Sequence, residues 1–204
     1  HKPEIDGLRA IAVGAVVLYH AVPGAMPGGF VGVDVFFVIS GYLITALLAR
    51  EWASAGRIDI LAFYARRIRR LVPALVAMLL GVMLLLVAFM GRHESLIVEV
   101  ASSSLRALAF IANFHFQATS GGYFDAASDT RPLLHVWSLA VEEQFYLVYP
   151  LVLVGLLKYF PAAPARRLVL LSVASLMFAE YWVHIDPALA FYQMPARFWE
   201  LAAG

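Results

Sequence analysis

The chain has 204 residues, of which 62% are hydrophobic and only 14% charged, a balance that excludes an ordinary soluble domain and points to lipid as the main solvent. The formal net charge of +1 leaves no electrostatic footprint for nucleic acid, so no nucleic-acid partner is expected. Cysteine is absent, which excludes disulfides, thiolate nucleophiles and Cys-based metal sites.

A bilayer core of about 30 Å calls for roughly 20 apolar residues in a helix. Windows of that kind fall, in chain order, at 8–22, 30–49, 71–90, 133–157 and 168–185. A sixth stretch, 95–116, carries Glu99, Arg106 and a Ser triplet, and is expected to lie in the interface or re-enter. The predicted fold class is all-α, a polytopic transmembrane helix bundle with five to seven membrane segments. No signal peptide is read, because "PGAMPGG" leads from the first apolar run into another. The start at His1 and the close on "RFWELAAG", which reads as the opening of a further apolar segment, give the expectation of a chain truncated at its C-terminus. Residues 1–204 are accordingly read as part of one membrane-embedded domain, with no soluble domain.

Six of the fifteen Lys and Arg residues lie between Arg50 and Arg70: Arg50, Arg57, Arg66, Arg67, Arg69 and Arg70. The positive-inside bias assigns that loop to the cytoplasm, with the next helix beginning near Pro73. If 95–116 does not span, the acidic "GGYFDAASDTRP" falls outside and the basic "KYFPAAPARR" inside, the arrangement preferred here.

The first segment, "LRAIAVGAVVLYH", places Arg9 and His20 eleven positions apart, which on a helix is about 16.5 Å of rise with a net rotation of only about 20°. They share one face at opposite depths. The plain structural reading has Arg9 snorkelling to headgroups and His20 at the far interface. The functional reading has an imidazole exchanging protons inside the bundle. In the second segment Asp34 sits among apolar residues, either near the interface or paired with a cation. Ser40 and Gly41 of its "SGY" suit close helix packing better than catalysis.

The cationic "FYARRIRRLVP" is a lipid-headgroup anchor, a phosphate site, or both, since guanidinium groups pair with phosphate oxygens. In "LLHVWSLAVEEQFYLVYP", His135, Ser138 and Glu142 fall at i, i+3 and i+7, a single helical stripe. Glu142 and Glu143 are expensive in hydrocarbon and must face protein, water or substrate; the structural alternative is pairing with arginines of neighbouring helices. Arg197 and Glu200, at i and i+3, suit a local ion pair. No Walker loop, HExxH motif or Gly-x-Ser-x-Gly elbow occurs, and the histidines lack zinc-ligand spacing, so no metal is expected.

Taken together, "EIDGLRAIAV", "GGFVGVDVFFVISGYLI", "FYARRIRRLVPAL", "LLHVWSLAVEEQFYLVYP" and "RFWELAAG" form an ordered set that resembles the acyltransferase-3 family of integral membrane acyltransferases. The resemblance covers essentially the whole chain and is nearest to bacterial members that O-acetylate cell-surface glycans such as O-antigen of lipopolysaccharide or peptidoglycan. It implies an enzyme of the bacterial inner membrane that moves an acyl group, most simply acetyl, from acyl-CoA to a glycan hydroxyl. Acetyl-CoA is then a donor substrate, with no bound cofactor. It implies His20 as the catalytic group, acting as base or through a transient acyl-imidazole, with Glu142 and Ser138 in support. Arg9, Arg66, Arg67, Arg69 and Arg70 fall at positions suited to the donor, and Trp137, Arg197 and Glu200 match the family's later motifs. Asp34 is added from the residue reading as a binding candidate. Members of this branch often carry an extracytoplasmic SGNH-type domain, which would be a C-terminal or separate partner. The family has about ten membrane helices, more than this chain supplies. The competing class is a carrier or flippase for an acyl donor or lipid-linked sugar, which intramembrane charges support equally. A purely structural membrane partner is a third reading.

Overall fold

The structure is a computed structural model that describes residues 3–22, 24–91, 93–119 and 131–204, without the side chain of Met90. Most of the acidic loop expected outside lies beyond the described residues, as do Lys2 and Arg92.

The order is α1 (Pro3–Ala21), a 3-10 turn (Gly29–Val31), α2 (Gly32–Ala55), α3 (Ile60–Met90), α4 (Glu94–Leu108), α5 (Ala112–Thr119), α6 (Val136–Tyr159), α7 (Pro164–Val183), α8 (Pro187–Tyr192) and α9 (Met194–Ala203). The all-α class is as expected. Among the described residues, three stretches are long and apolar enough to cross a membrane: Gly29–Ala55, Ile60–Phe89 and Val136–Tyr159. The expected segments 8–22 and 168–185 are helical, as α1 and α7, but Glu4, Asp6 and Arg9 in one and Arg166, Arg167 and Glu180 in the other keep them below that standard.

Two boundaries differ from the sequence reading. The helix expected to begin near Pro73 begins at Ile60, where the Asp59 side chain caps it by accepting from the Ala62 N–H at 2.9 Å. Apolarity marks lipid depth, whereas the helix is set by its cap and by good helix formers such as Arg, Leu and Ala. Arg66 to Arg70 therefore ride on α3 and not in a loop, and Pro73 lies inside the helix. At 31 residues α3 is about 46 Å long, more than the hydrocarbon requires. The second difference is the stretch 95–116, which breaks into α4 and α5, of 15 and 8 residues, too short to span singly. The break is at Phe110, whose φ of 54° is left-handed for a non-glycine residue. The side chain of Gln144 on α6 donates to its carbonyl at 2.8 Å.

The chain divides into two compact units. The first comprises His1–Ile58, Val152–Met177 and Arg197–Gly204. Its helices approach through glycine: a Cβ at Gly32 would meet the Ala12 carbonyl oxygen at 2.3 Å, and one at Gly29 the Ala15 oxygen at 2.4 Å. Small residues permit this backbone contact between α1 and the start of α2. Gly41 lies against the Leu201 backbone of α9, the close packing expected of "SGY". The Ser175 hydroxyl of α7 accepts from the Trp199 N–H at 3.0 Å.

The second unit comprises Asp59–Leu151 and Phe178–Ala196. Here α4 packs on α3 and α8 on α5 around the buried rings of Phe116, Trp137, Phe145, Tyr149 and Tyr192. Trp137 lies 4.7 Å from the Phe191 ring and edge-on to Tyr192 at 5.4 Å. Its place in the core is that of an aromatic anchor.

Candidate active site

In the first unit, His20 occupies the last turn of α1. Its Nδ1 lies 2.8 Å from the Val16 carbonyl oxygen. A carbonyl only accepts, so Nδ1 carries the hydrogen, and the lone pair of the neutral ring resides on Nε2. That is the tautomer a general base requires. The Tyr19 ring stands edge-on to the imidazole at 5.0 Å, and His20 itself is exposed. Arg9, half-buried one face along the same helix, holds its guanidinium 5.2 Å from the centre of the Phe36 ring of α2.

α2 and α9 build a charged cluster in this unit. Arg197 Nη1 donates to Glu200 Oε1 at 2.5 Å and to Asp34 Oδ1 at 3.2 Å. The i, i+3 pair expected from the sequence forms, and Asp34 finds its cation 163 residues away along the chain. Two carboxylates share one guanidinium, and Glu200 is only 2% exposed. Its Oε2 is buried without a hydrogen-bond partner among the described residues. An apolar surround makes such an oxygen a strong acceptor for a hydroxyl or a proton.

In the second unit, α3 and α6 meet through a guanidinium. Arg67 donates to Glu143 Oε1 from Nη2 at 2.7 Å and from Nε at 3.2 Å, two charge-assisted bonds converging on one carboxylate oxygen, with Nε 3.5 Å from Oε2. Its planar group also stacks on the Tyr146 ring, 3.5 Å from the centroid. The Tyr146 hydroxyl in turn donates to Glu142 Oε1, one turn back on α6. One turn before Arg67, the Tyr64 hydroxyl donates to the Leu147 carbonyl at 2.5 Å. Arg66, Arg69 and Arg70 are exposed. Glu143 thus takes the structural option foreseen for it, whereas Glu142 is buried against a phenol.

The stripe of His135, Ser138 and Glu142 starts in the turn before α6, and the Ser138 hydroxyl donates to the His135 carbonyl at 3.1 Å. Next to Glu143, Gln144 enters an amide chain that sequence reasoning did not identify. Gln144 Nε2 donates to Asn113 Oδ1 at 2.8 Å, and Asn113 Nδ2 donates to the Tyr192 carbonyl at 3.1 Å. Gln193 donates to Gln117, and Gln117 to Asp186 Oδ2 at 3.3 Å. The available signal was the i, i+4 spacing of Asn113 and Gln117, and of Glu142 and Tyr146, within apolar surroundings. Among the described residues no group of three or more His, Asp or Glu is arranged for a metal ion.

His115, on α5 and outside the three spanning stretches, has its pKa lowered by burial and then by the nearby charges of Arg106 and Arg131. A histidine held neutral in the folded state favours folding above its ordinary value near 6.5, and that preference is lost as the pH falls through 6.5 toward the depressed value. The drop in Tm between pH 7.5 and 5.5 is expected to be smaller in His115→Gln than in the parent protein; equal drops would show that His115 does not contribute.

Charged groups held between apolar helices define the class, a multi-pass helical membrane protein with polar sites built into its packing. Comparison with known proteins refines this. The Acyltransferase domain of the acyltransferase-3 family matches residues 2–199, and the chain belongs to that family. It is 37% identical over 207 residues to the O-acetyltransferase OatA of Staphylococcus aureus (strain NCTC 8325), covering 100% of this chain and 34% of that protein. It is 36% identical over 211 residues to the peptidoglycan O-acetyltransferase OatA of Listeria monocytogenes serovar 1/2a, covering 100% of this chain and 33% of that protein. The chain therefore spans about a third of the length of the curated relatives it matches. No solved structure matches.

Proposed function

We propose that the chain is part of a membrane O-acetyltransferase of the bacterial inner membrane, moving acetyl from acetyl-CoA to a hydroxyl of cell-wall glycan, with peptidoglycan as the acceptor class. The observation that carries this reading is likeness along the entire chain to proteins named for O-acetyl transfer, one of them to peptidoglycan. O-antigen is the other acceptor in this chemistry, and the named relatives favour peptidoglycan over it.

A sugar hydroxyl is a poor nucleophile near neutral pH and needs a positioned base. His20 Nε2 takes the hydroxyl proton as the oxygen bonds to the thioester carbonyl carbon. The carbon–sulfur bond breaks, and the proton passes to the departing CoA thiolate. Glu142 and Ser138 are the supporting polar groups of α6. The exposed face of Arg66, Arg69 and Arg70 suits the phosphates of the donor. Arg9 of α1 is a further cation suited to the donor. Asp34, Arg197 and Glu200 supply hydrogen-bonding capacity for a polyhydroxyl acceptor, and Trp137 anchors the aromatic packing of its own unit beside Phe191 and Tyr192. An SGNH-type domain, C-terminal or separate, is the expected partner for delivery to the outer face.

The test is ester formation from labelled acetyl-CoA by the purified full-length protein in lipid vesicles holding a glycan acceptor. O-acetylated glycan is the expected product. Translocation of label without an O-acetyl product would replace this reading with a carrier.

A further inference from the structure

We propose that Arg67 is a positioning residue for the carboxylates of α6 and not a ligand of the acyl donor, so that donor phosphates fall to the face formed by Arg66, Arg69 and Arg70. The inference rests on the acyltransferase reading above and divides the arginine cluster by geometry.

Helix phase supplies the first argument. Arg66, Arg69 and Arg70 stand at i, i+3 and i+4 and share one side of α3, all exposed. Arg67 shares the other side with Tyr64, three residues earlier, and both reach α6. The guanidinium of Arg67 is engaged on Glu143 through Nε and Nη2 and on one face by the Tyr146 ring, whose centre lies 3.5 Å away. A phosphate reaching Nε and Nη2 would have to displace a carboxylate oxygen that accepts from both, in a setting only 26% exposed on the arginine side and 12% on the glutamate side.

The second argument is what the contact achieves. Tyr146 is clasped from above by Arg67, and its hydroxyl is thereby aimed at Glu142 Oε1. Glu143 fixes the azimuth of α6 from one flank, while Gln144, bonded to Phe110 and Asn113, fixes it from the other. Three consecutive residues of α6 are held in three directions. Glu142 is the member held by the Tyr146 hydroxyl, and Arg67 acts on it through Tyr146 and Glu143.

Steady-state kinetics of the full-length protein with acetyl-CoA separates the two roles. Arg67→Met and Glu143→Gln are each expected to lower kcat at least ten-fold while leaving the KM for acetyl-CoA within two-fold. The double variant should be no more than two-fold worse than either single one, because both break the same contact. Arg67→Lys, which keeps the charge, should recover part of the turnover lost in Arg67→Met. The pair Arg69→Ala and Arg70→Ala should instead raise the acetyl-CoA KM about ten-fold with kcat within two-fold. A KM raised more than five-fold by Arg67→Met but untouched by Glu143→Gln would make Arg67 a donor ligand and overturn the inference. Thermal unfolding of the same variants is the arm that needs no turnover: Tm losses that do not add support the clamp, and losses that add overturn it. Absence of O-acetyl product from the parent protein would sink the functional reading alone, with the unfolding arm still deciding the clamp.

Discussion

On the proposed acetyltransferase reading, His20→Ala is expected to abolish glycan O-acetylation in cells that carry the full-length protein at normal membrane level, with a loss of about 100-fold or more for removal of a general base. The expectation comes from the ring's attachment. Because Nδ1–H is committed to the Val16 carbonyl at 2.8 Å, the ring is held in one tautomer and one rotation about its axis. Alanine removes the base and leaves α1 otherwise intact, since His20 is exposed and its loss opens no core. His20→Gln is the useful companion, because its amide can hydrogen-bond but cannot exchange a proton at neutral pH. Both variants should be equally inactive. Acetylation at the parent level in either would remove His20 from the mechanism.

The largest stability effect is expected at Gly41. A Cβ there would stand 1.6 Å from the Leu201 carbonyl oxygen and 2.6 Å from its carbon, both backbone atoms of α9 that no rotamer change can move. The helices would have to separate, and overpacking of this kind costs about 3 kcal/mol. On the other side of the same junction, a Cβ at Gly204 would meet the Val38 oxygen at 1.9 Å, so the approach of α9 to α2 is glycine-made along its length. Gly41→Ala should therefore lower the thermal midpoint in detergent by several degrees and loosen the Asp34 to Arg197 pair that the junction supports. Gly81 on α3 is the control. Nothing lies within 4 Å of its added Cβ, so Gly81→Ala should be neutral or stabilising by about 0.5–1 kcal/mol. Equal midpoints for the two variants would show that the α2 and α9 contact does not limit stability.

Much of this architecture was legible because lipid imposes a coarse code: apolar runs of fixed length become helices, and polar residues inside them must find partners. That logic identified α2 and α6, the closeness at Gly41 and the Arg197 to Glu200 pair. It could not find the partner of Asp34, which is remote in sequence, nor tell Arg67 from Arg66. The latter needs the helix to begin at Ile60, and the capping carboxylate of Asp59 carries a weaker signal than the apolar window that follows it. The break at Phe110 was invisible for a related reason. A left-handed phenylalanine has no compositional signature, and its carbonyl is satisfied by a glutamine 34 positions later. The amide chain through Asn113 escaped notice because each member is an ordinary polar residue until the fold brings them together.

The Arg67 to Glu143 contact also bears on how the chain enters a bilayer. Of the three spanning stretches, the one containing Arg67 is the most apolar and the one containing Glu143 the least. Arg67 stands just before the apolar run of α3, whereas Glu142 and Glu143 lie within α6, and an acidic residue at mid-depth disfavours insertion by roughly 2.5–3.5 kcal/mol, which makes α6 marginal. The two residues are 76 positions apart, an interval of roughly 4–15 s at ribosomal speed. During that wait Arg67 stands at the edge of the apolar run of α3 without its carboxylate partner. When α6 emerges, it is drawn to a site already waiting for its carboxylate, so the order of synthesis matches the order in which lipid can accept these helices.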